Sequence, residues 1–218
     1  MFKKERKEVA GFMCRLYERG LTTISGGNIS MLCDNNVLMT PSGLDKGRLK
    51  AKHIVIMTMD GENLTPELTP TIEKDMHLAI YKNNSEVKAI VHVHPVTATA
   101  FSSTNKSIST DMLSELYALL REPGRIGYAT MGTMNLAEQV GEAAKKYRVM
   151  LMDNHGVIST GSTILEAFDR IELLEIAAKT TLINEFLNQK NSISVEDLKK
   201  IAQLKPKHFA QELGKDIQ

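Results

Sequence analysis

The chain has no tryptophan, and its six Phe and five Tyr are scattered through 218 residues. Nowhere do aromatics alternate with basic residues to form a surface on which nucleobases could stack. Neither sign of charge prevails: 27 Lys and Arg face 26 Asp and Glu, for a formal net charge of +1. That balance removes the electrostatic case for nucleic acid or an anionic membrane as a partner. Two cysteines, Cys14 and Cys33, are too few for a disulfide framework and are not spaced as a CxxC metal pair. They read as reduced thiols of a cytosolic protein. No apolar run approaches the roughly 20 residues that span a bilayer. The opening MFKKERKEVAGFM lacks the apolar stretch of a secretory signal. The expectation is a soluble cytoplasmic protein. Internal repeats, low-complexity linkers and the dinucleotide fingerprint GxGxxG are also absent.

What is present is the composition of an ordinary globular domain, 42% hydrophobic and 24% charged, with ample apolar material for a core. Apolar residues at Val9, Phe12, Met13, Leu16 and Tyr17 follow helical spacing, and Gly20 is a natural stop. LTTISGGNIS reads as a loop, NVLMT (36–40) as a short strand ending in the turn PSG, and HIVIMTM (53–59) as a strand closed by Asp60-Gly61. Pro70 precedes a helical pattern with Met76, Ile80 and Tyr81 on one side, KAIVHVH is a strand, and VTATAFSST is helical. The stretch from there to Gly124 is mixed. A helix over 135–147, two strands around Asp153-Asn154-His155-Gly156, a long helix capped by Thr163 and Glu166 and running to about Leu187, and a short helix from Ser194 complete the chain. KHFAQELGKDIQ is a polar tail. Short strands joined by turns predict a single α/β domain with a mixed or mainly antiparallel sheet flanked by helices.

Two of the six histidines, His92 and His94, stand two apart at the end of an apolar run. In an extended strand such residues share a face, so both imidazoles reach one point. Three neutral imidazoles and an open position form a catalytic metal site. His155, in a turn at a strand end beside Gly156, is the best third ligand among His53, His77, His155 and His208. Spacing alone leaves the pair open to a simpler reading, two polar residues satisfied at a strand end. Glu73 falls in the first turn of a helix, where an acid either complements the helix dipole or serves chemistry. ISGGNIS (24–30) and PSG (41–43) contain no Lys or Arg. Backbone N–H groups of such turns form concavities for anions; the simpler reading of each is a plain connector.

Taken in order, GLTTISGGNIS, MTPSGL, LTPTIEKDMHLAIY, AIVHVHP and LMDNHGVI resemble the class II aldolase family, which includes L-fuculose-1-phosphate aldolase, L-rhamnulose-1-phosphate aldolase and L-ribulose-5-phosphate 4-epimerase. The likeness runs from about residue 5 to 187. It implies a single-domain α/β sandwich over 1–218, with a central, mainly antiparallel sheet and 188–218 as a C-terminal helical extension. It also implies a homo-oligomer, usually a C4 tetramer with sites near subunit interfaces. His92, His94 and His155 match zinc ligands, with Mn2+ or Co2+ as substitutes. Glu73 matches the acid that moves the proton, and Asn28, Ser42, Gly43 and Thr71 match positions that hold the substrate phosphate. The activity implied is cleavage of a small ketose 1-phosphate to dihydroxyacetone phosphate and an aldehyde through a metal-stabilised enediolate. An epimerase, a dehydratase or a decarboxylase on the same metal site is the alternative. Adducin head domains share the fold without the metal, and an intact histidine set argues against that reading. Two positions depart from the fuculose aldolase pattern. Ile72 stands where that pattern has a serine, and Leu113 where it has a proton-donating tyrosine; Tyr117, one helical turn on, is the substitute donor.

Overall fold

In the computed structural model, which describes residues 1–204, strand β4 (Ala89–Val93) lies at the centre of a seven-stranded sheet. The other strands are β1 (Asn28–Cys33), β2 (Asn36–Met39), β3 (Val55–Thr58), β5 (Gly124–Ile126), β6 (Val149–Met152) and β7 (Gly156–Gly161). Their order is β3-β2-β1-β4-β7-β6-β5. Every pair is antiparallel except β5 with β6. All five residues of β4 are buried, as befits a strand covered on both faces.

Alternation along the strands divides the core in two. Val91 and Val93 of β4, with Ile29, Leu38 and Val157, meet helices α1 (Lys3–Glu18), α3 (Val96–Ser102), α4 (Ser114–Leu120) and α6 (Ile164–Phe186). Ile90, with Met57, Met150 and Ile158, meets α2 (Lys74–Asn83) and α5 (Met134–Ala143). The result is helices, sheet, helices: the α/β sandwich with a mainly antiparallel sheet that the sequence predicts. Helix α7 (Val195–Gln203) lies against α4. The polar tail, 207–218, and with it the end of the expected extension, lie outside the described residues.

Local chemistry accounts for the ends of the elements. Ser194 accepts from Asp197 N at the head of α7, and Thr163 accepts from Glu166 N at the head of α6. The Glu166 carboxylate accepts from the Ser162 backbone and hydroxyl instead of closing a reciprocal box onto Thr163. Three expectations need correction. The segment read as a loop, LTTISGGNIS, contains the start of β1, because Asn28, Ile29 and Ser30 pair with His92, Val91 and Ile90. His53 belongs to a single 3-10 turn, and β3 begins at Val55. The mixed stretch before Gly124 contains α4, and a three-residue strand, β5, begins at Gly124 itself.

Candidate metal centre and acid

The strand register builds the centre. Asn28 of β1 lies opposite His92 of β4, so both side chains project to the α2 side of the sheet. Val93 lies opposite Val157. That pairing brings the chain after β4, which carries His94, against the β6–β7 turn, which carries His155. Only His92 belongs to the strand; His94 follows its end. The three rings still converge, with centroids 4.8 Å apart for His92–His94 and His92–His155, and 5.8 Å for His94–His155. One nitrogen from each lies within 4.8 Å of the others.

Two glycines make room. Gly27 has φ +68, and a Cβ there would sit 2.8 Å from the His92 carbonyl oxygen. Gly156 does not supply the tight bend expected of it, since the positive φ in that turn is at Asn154. Its hydrogen side chain is needed for space: a Cβ would strike the His94 ring and lie 2.9 Å from Val93 O.

Glu73 is the N-cap of α2, yet its carboxylate accepts no hydrogen bond from its own helix. It turns into the centre. Oε2 is 3.1 Å from His92 Nε2 and accepts from Asn28 Nδ2 at 2.9 Å, and Oε1 is 3.2 Å from His155 Nε2. Burial alone would push this acid up; the neighbouring His92 and His155 rings and the hydrogen bond from Asn28 outweigh it and hold Glu73 below the usual carboxylate range. Burial, with His92 and His155 nearby, lowers His94 to about 3, so its imidazole is neutral and able to ligate. His92 Nδ1 donates to Val157 O at 2.9 Å, which directs the Nε2 lone pair inward.

The donor set fits a divalent cation. His92 Nε2 and Glu73 Oε1 are buried and close to partners, but neither makes a properly aligned hydrogen bond. Buried polar atoms in that condition are rare, and a cation held by the three imidazoles beside the carboxylate would satisfy them.

The other expected residues divide into two groups. Thr71 joins the cluster through Asn28 Nδ2, which donates to its hydroxyl at 3.1 Å. The PSG turn lies alongside: Pro41 bridges to Pro70 and Ser42 N donates to Thr69 O at 2.9 Å. Gly43 has φ +72 and nothing within 4 Å of a notional Cβ, so its backbone faces open space. Behind this turn is Lys46, 2% exposed, whose ammonium donates to Pro41 O; burial pulls it down to about 8. Tyr117 does not join the cluster. It lies on α4, which packs against α6 and α7, with the Arg121 guanidinium 5.4 Å over its ring. Among the described residues its side chain makes no hydrogen bond to the histidines or Glu73. Leu113 and Ile72 are both exposed.

Three residues given no site role in the sequence, His77, Ser30 and Tyr81, join Asn28 beside Glu73. His77 Nε2 is 2.6 Å from Asn28 Oδ1, His77 Nδ1 is 2.6 Å from Ser30 Oγ, and Ser30 Oγ is 2.7 Å from the Tyr81 hydroxyl. A signal for them existed: Glu73, His77 and Tyr81 are spaced four apart along one helical face, and Asn28 and Ser30 two apart on one strand face.

Comparison with known proteins agrees with this fold. The family described as Class II Aldolase and Adducin N-terminal domain matches residues 7–182. The chain is 33% identical over 180 residues to L-fuculose phosphate aldolase of Methanocaldococcus jannaschii, covering 83% of this chain and 97% of that one. It is 37% identical over 189 residues to 3-oxo-tetronate 4-phosphate decarboxylase of Haemophilus influenzae, covering 84% and 90%. A solved structure of L-fuculose 1-phosphate aldolase superposes with a TM-score of 0.84 at 27% identity, over 91% of this chain and 94% of that one. With four-fifths of its length matched by the family model, and its fold by a solved aldolase, the chain belongs to the class II aldolase and adducin N-terminal domain family.

Proposed function

We propose that the protein is a divalent-metal-dependent lyase, with zinc as the first candidate and Mn2+ or Co2+ as substitutes. Its substrate is a small ketose 1-phosphate of the L-fuculose 1-phosphate type, cleaved to dihydroxyacetone phosphate and an aldehyde. The observation that carries this reading is the placement of a buried, ionised Glu73 within 3.2 Å of two of three convergent histidines. His92, His94 and His155 would hold the cation, which supplies Lewis-acid charge for the ketose oxygens as negative charge develops on them.

The chain's own groups do the rest. Glu73 moves the proton at C3: it removes it from dihydroxyacetone phosphate in the condensation direction and returns it there on cleavage. The hydroxyl of Thr71, Ser42 and the backbone N–H of Gly43 hold the phosphate, with Lys46 behind the turn. Asn28 belongs to this subsite through Thr71, since its amide hydrogens are directed at Thr71 and Glu73. Tyr117 exchanges the proton of the aldehyde oxygen. In its own chain α4 packs against α6 and α7, and in this reading Tyr117 serves the site of an adjacent subunit of a homotetramer.

The test is a screen of ketose 1-phosphates with a coupled assay for dihydroxyacetone phosphate, run with and without a chelator. The reading requires product from at least one ketose, lost on chelation and recovered with added metal. A second reading has its own support, the 37% identity to the 3-oxo-tetronate 4-phosphate decarboxylase. Release of carbon dioxide from a phosphorylated 3-oxo acid, without cleavage of any ketose phosphate, would establish it instead.

A further inference from the structure

Beneath the acid runs a chain of four buried polar residues: Tyr81 of α2, Ser30 of β1, His77 of α2 and Asn28 of β1. Ser30 and His77 are fully buried, and Asn28 and Tyr81 are 3% and 4% exposed. We infer that this chain is a hydrogen-bond relay of fixed direction, and that His77 is a positioning residue that sets the donor and acceptor roles of Glu73 and Thr71 through Asn28. The inference rests on the reading that Glu73 and Thr71 face the substrate.

The direction follows from donor and acceptor inventories. An ionised carboxylate only accepts, so the Asn28 atom 2.9 Å from Glu73 Oε2 is the amide nitrogen. The other Asn28 atom, the one facing His77, is therefore the carbonyl oxygen, which only accepts. His77 Nε2, 2.6 Å away, must then carry a hydrogen. Full burial with no carboxylate in contact keeps the ring neutral, so Nδ1 has no hydrogen and accepts from the Ser30 hydroxyl at 2.6 Å. Ser30 Oγ has spent its hydrogen and accepts from Tyr81 at 2.7 Å. Every hydrogen points one way, from Tyr81 to the site.

The consequences appear at the end of the relay. Asn28 cannot flip its amide without placing two carbonyl-type acceptors against each other at Glu73 and two donors against each other at His77. With the amide locked, Nδ2 gives one hydrogen to Glu73 Oε2 and the other to Thr71 Oγ1. Thr71 thus accepts from inside the protein, and its own hydroxyl hydrogen is left to donate outward. The relay therefore fixes Glu73 as an acceptor and Thr71 as a donor toward a bound anion, although the His77 side chain hydrogen-bonds to neither.

Nitrogen-15 spectra of the histidine rings in the full-length, metal-loaded protein test the relay directly, with His77→Gln used to assign the signals. The expected result is a single neutral His77 tautomer, hydrogen on Nε2, unchanged between about pH 5 and 9. A hydrogen on Nδ1, or protonation within that range, would overturn the relay. Its effect on the site is read with inorganic phosphate as the probe, by calorimetry. His77→Leu removes the donor to Asn28 and should weaken phosphate binding about tenfold. His77→Gln restores a donor and should bind within about threefold of the unmodified protein. Equal phosphate affinity in all three proteins, or no recovery in a folded His77→Gln, would refute the positioning role. If the unmodified protein binds no phosphate, the substrate reading fails, and the tautomer measurement still decides the relay by itself.

Discussion

Glu73 occupies a position where an acidic side chain ordinarily serves its own helix, as a cap or against the dipole. Its carboxylate faces two histidines and an asparagine instead. From the sequence, those two uses of a first-turn acid are indistinguishable, because the difference lies in which way one side chain turns. The pair His92 and His94 was legible as a shared face, and His155 as a turn residue beside a glycine. Their convergence depends on β4 pairing with β7, which no local pattern encodes. Glu73→Gln keeps the size of the side chain and loses the base. We predict that the variant retains its metal while kcat falls by at least about 100-fold, the lower range for a positioned general base. Tyr117→Phe should lower kcat with little change in KM, and unaltered turnover would remove Tyr117 from the donor role. His77 gives a prediction about stability. Burial lowers it from the ordinary value of 6.5 to about 3, so between those values the unfolded chain binds a proton that the folded chain does not. Stability from this residue is complete above about pH 6.5 and is lost as pH falls toward 3, with a limiting slope of about 1.4 kcal/mol per pH unit. Urea unfolding of His77→Gln between pH 6.5 and 4 should show that much less pH dependence than the unmodified protein; parallel curves would contradict the assignment.

At the scale of elements, long periodic segments were readable and short ones were not. Helices α1 and α6 bury runs such as Val9, Ala10, Met13 and Leu16, which announce themselves by spacing. Strand β1 begins with Asn28, Ile29 and Ser30 just after two glycines. Its polar residues look like loop composition and in fact form the inward face toward His77 and Glu73. Strand β5 has three residues, too few to show any period. The segment after His94 depends on α6: the buried Glu175 accepts from Thr97 N and Ala98 N at the head of α3, with Lys179 3.3 Å away. Glu175→Ala leaves these N–H groups without an acceptor, and we expect a loss of about 1–3 kcal/mol in urea unfolding. Gly156→Ala forces its new methyl group into the His94 ring. Displacement of a ligand on this scale should weaken metal affinity by at least about tenfold, measured by competition with a chromogenic chelator.

For the whole molecule, the order of strands and the two-sided core make a sandwich whose histidine cluster lies at the end of the sheet where β4 ends and β7 begins. No helix among the described residues is long and apolar enough to cross a membrane. Several large apolar side chains remain exposed on the single chain: Tyr128, Met131 and Met134 on one segment, and Ile183 and Phe186 near the end of α6. Surfaces of this kind are commonly covered by another protein surface, and we predict a tetramer by sedimentation equilibrium. A monomer at micromolar concentration would leave Tyr117 without an adjacent site to serve and would remove it from the mechanism. The central claim is smaller than the assembly: three histidines from the facing ends of two strands hold one catalytic cation. Elemental analysis of the purified protein, chelated and then reloaded, measures this directly. The account predicts close to one zinc, manganese or cobalt ion per chain, and almost none in His92→Ala and His155→Ala variants that remain folded. An unmodified chain that retains no divalent metal after reloading, or variants that bind it as well as the unmodified chain, would contradict the claim.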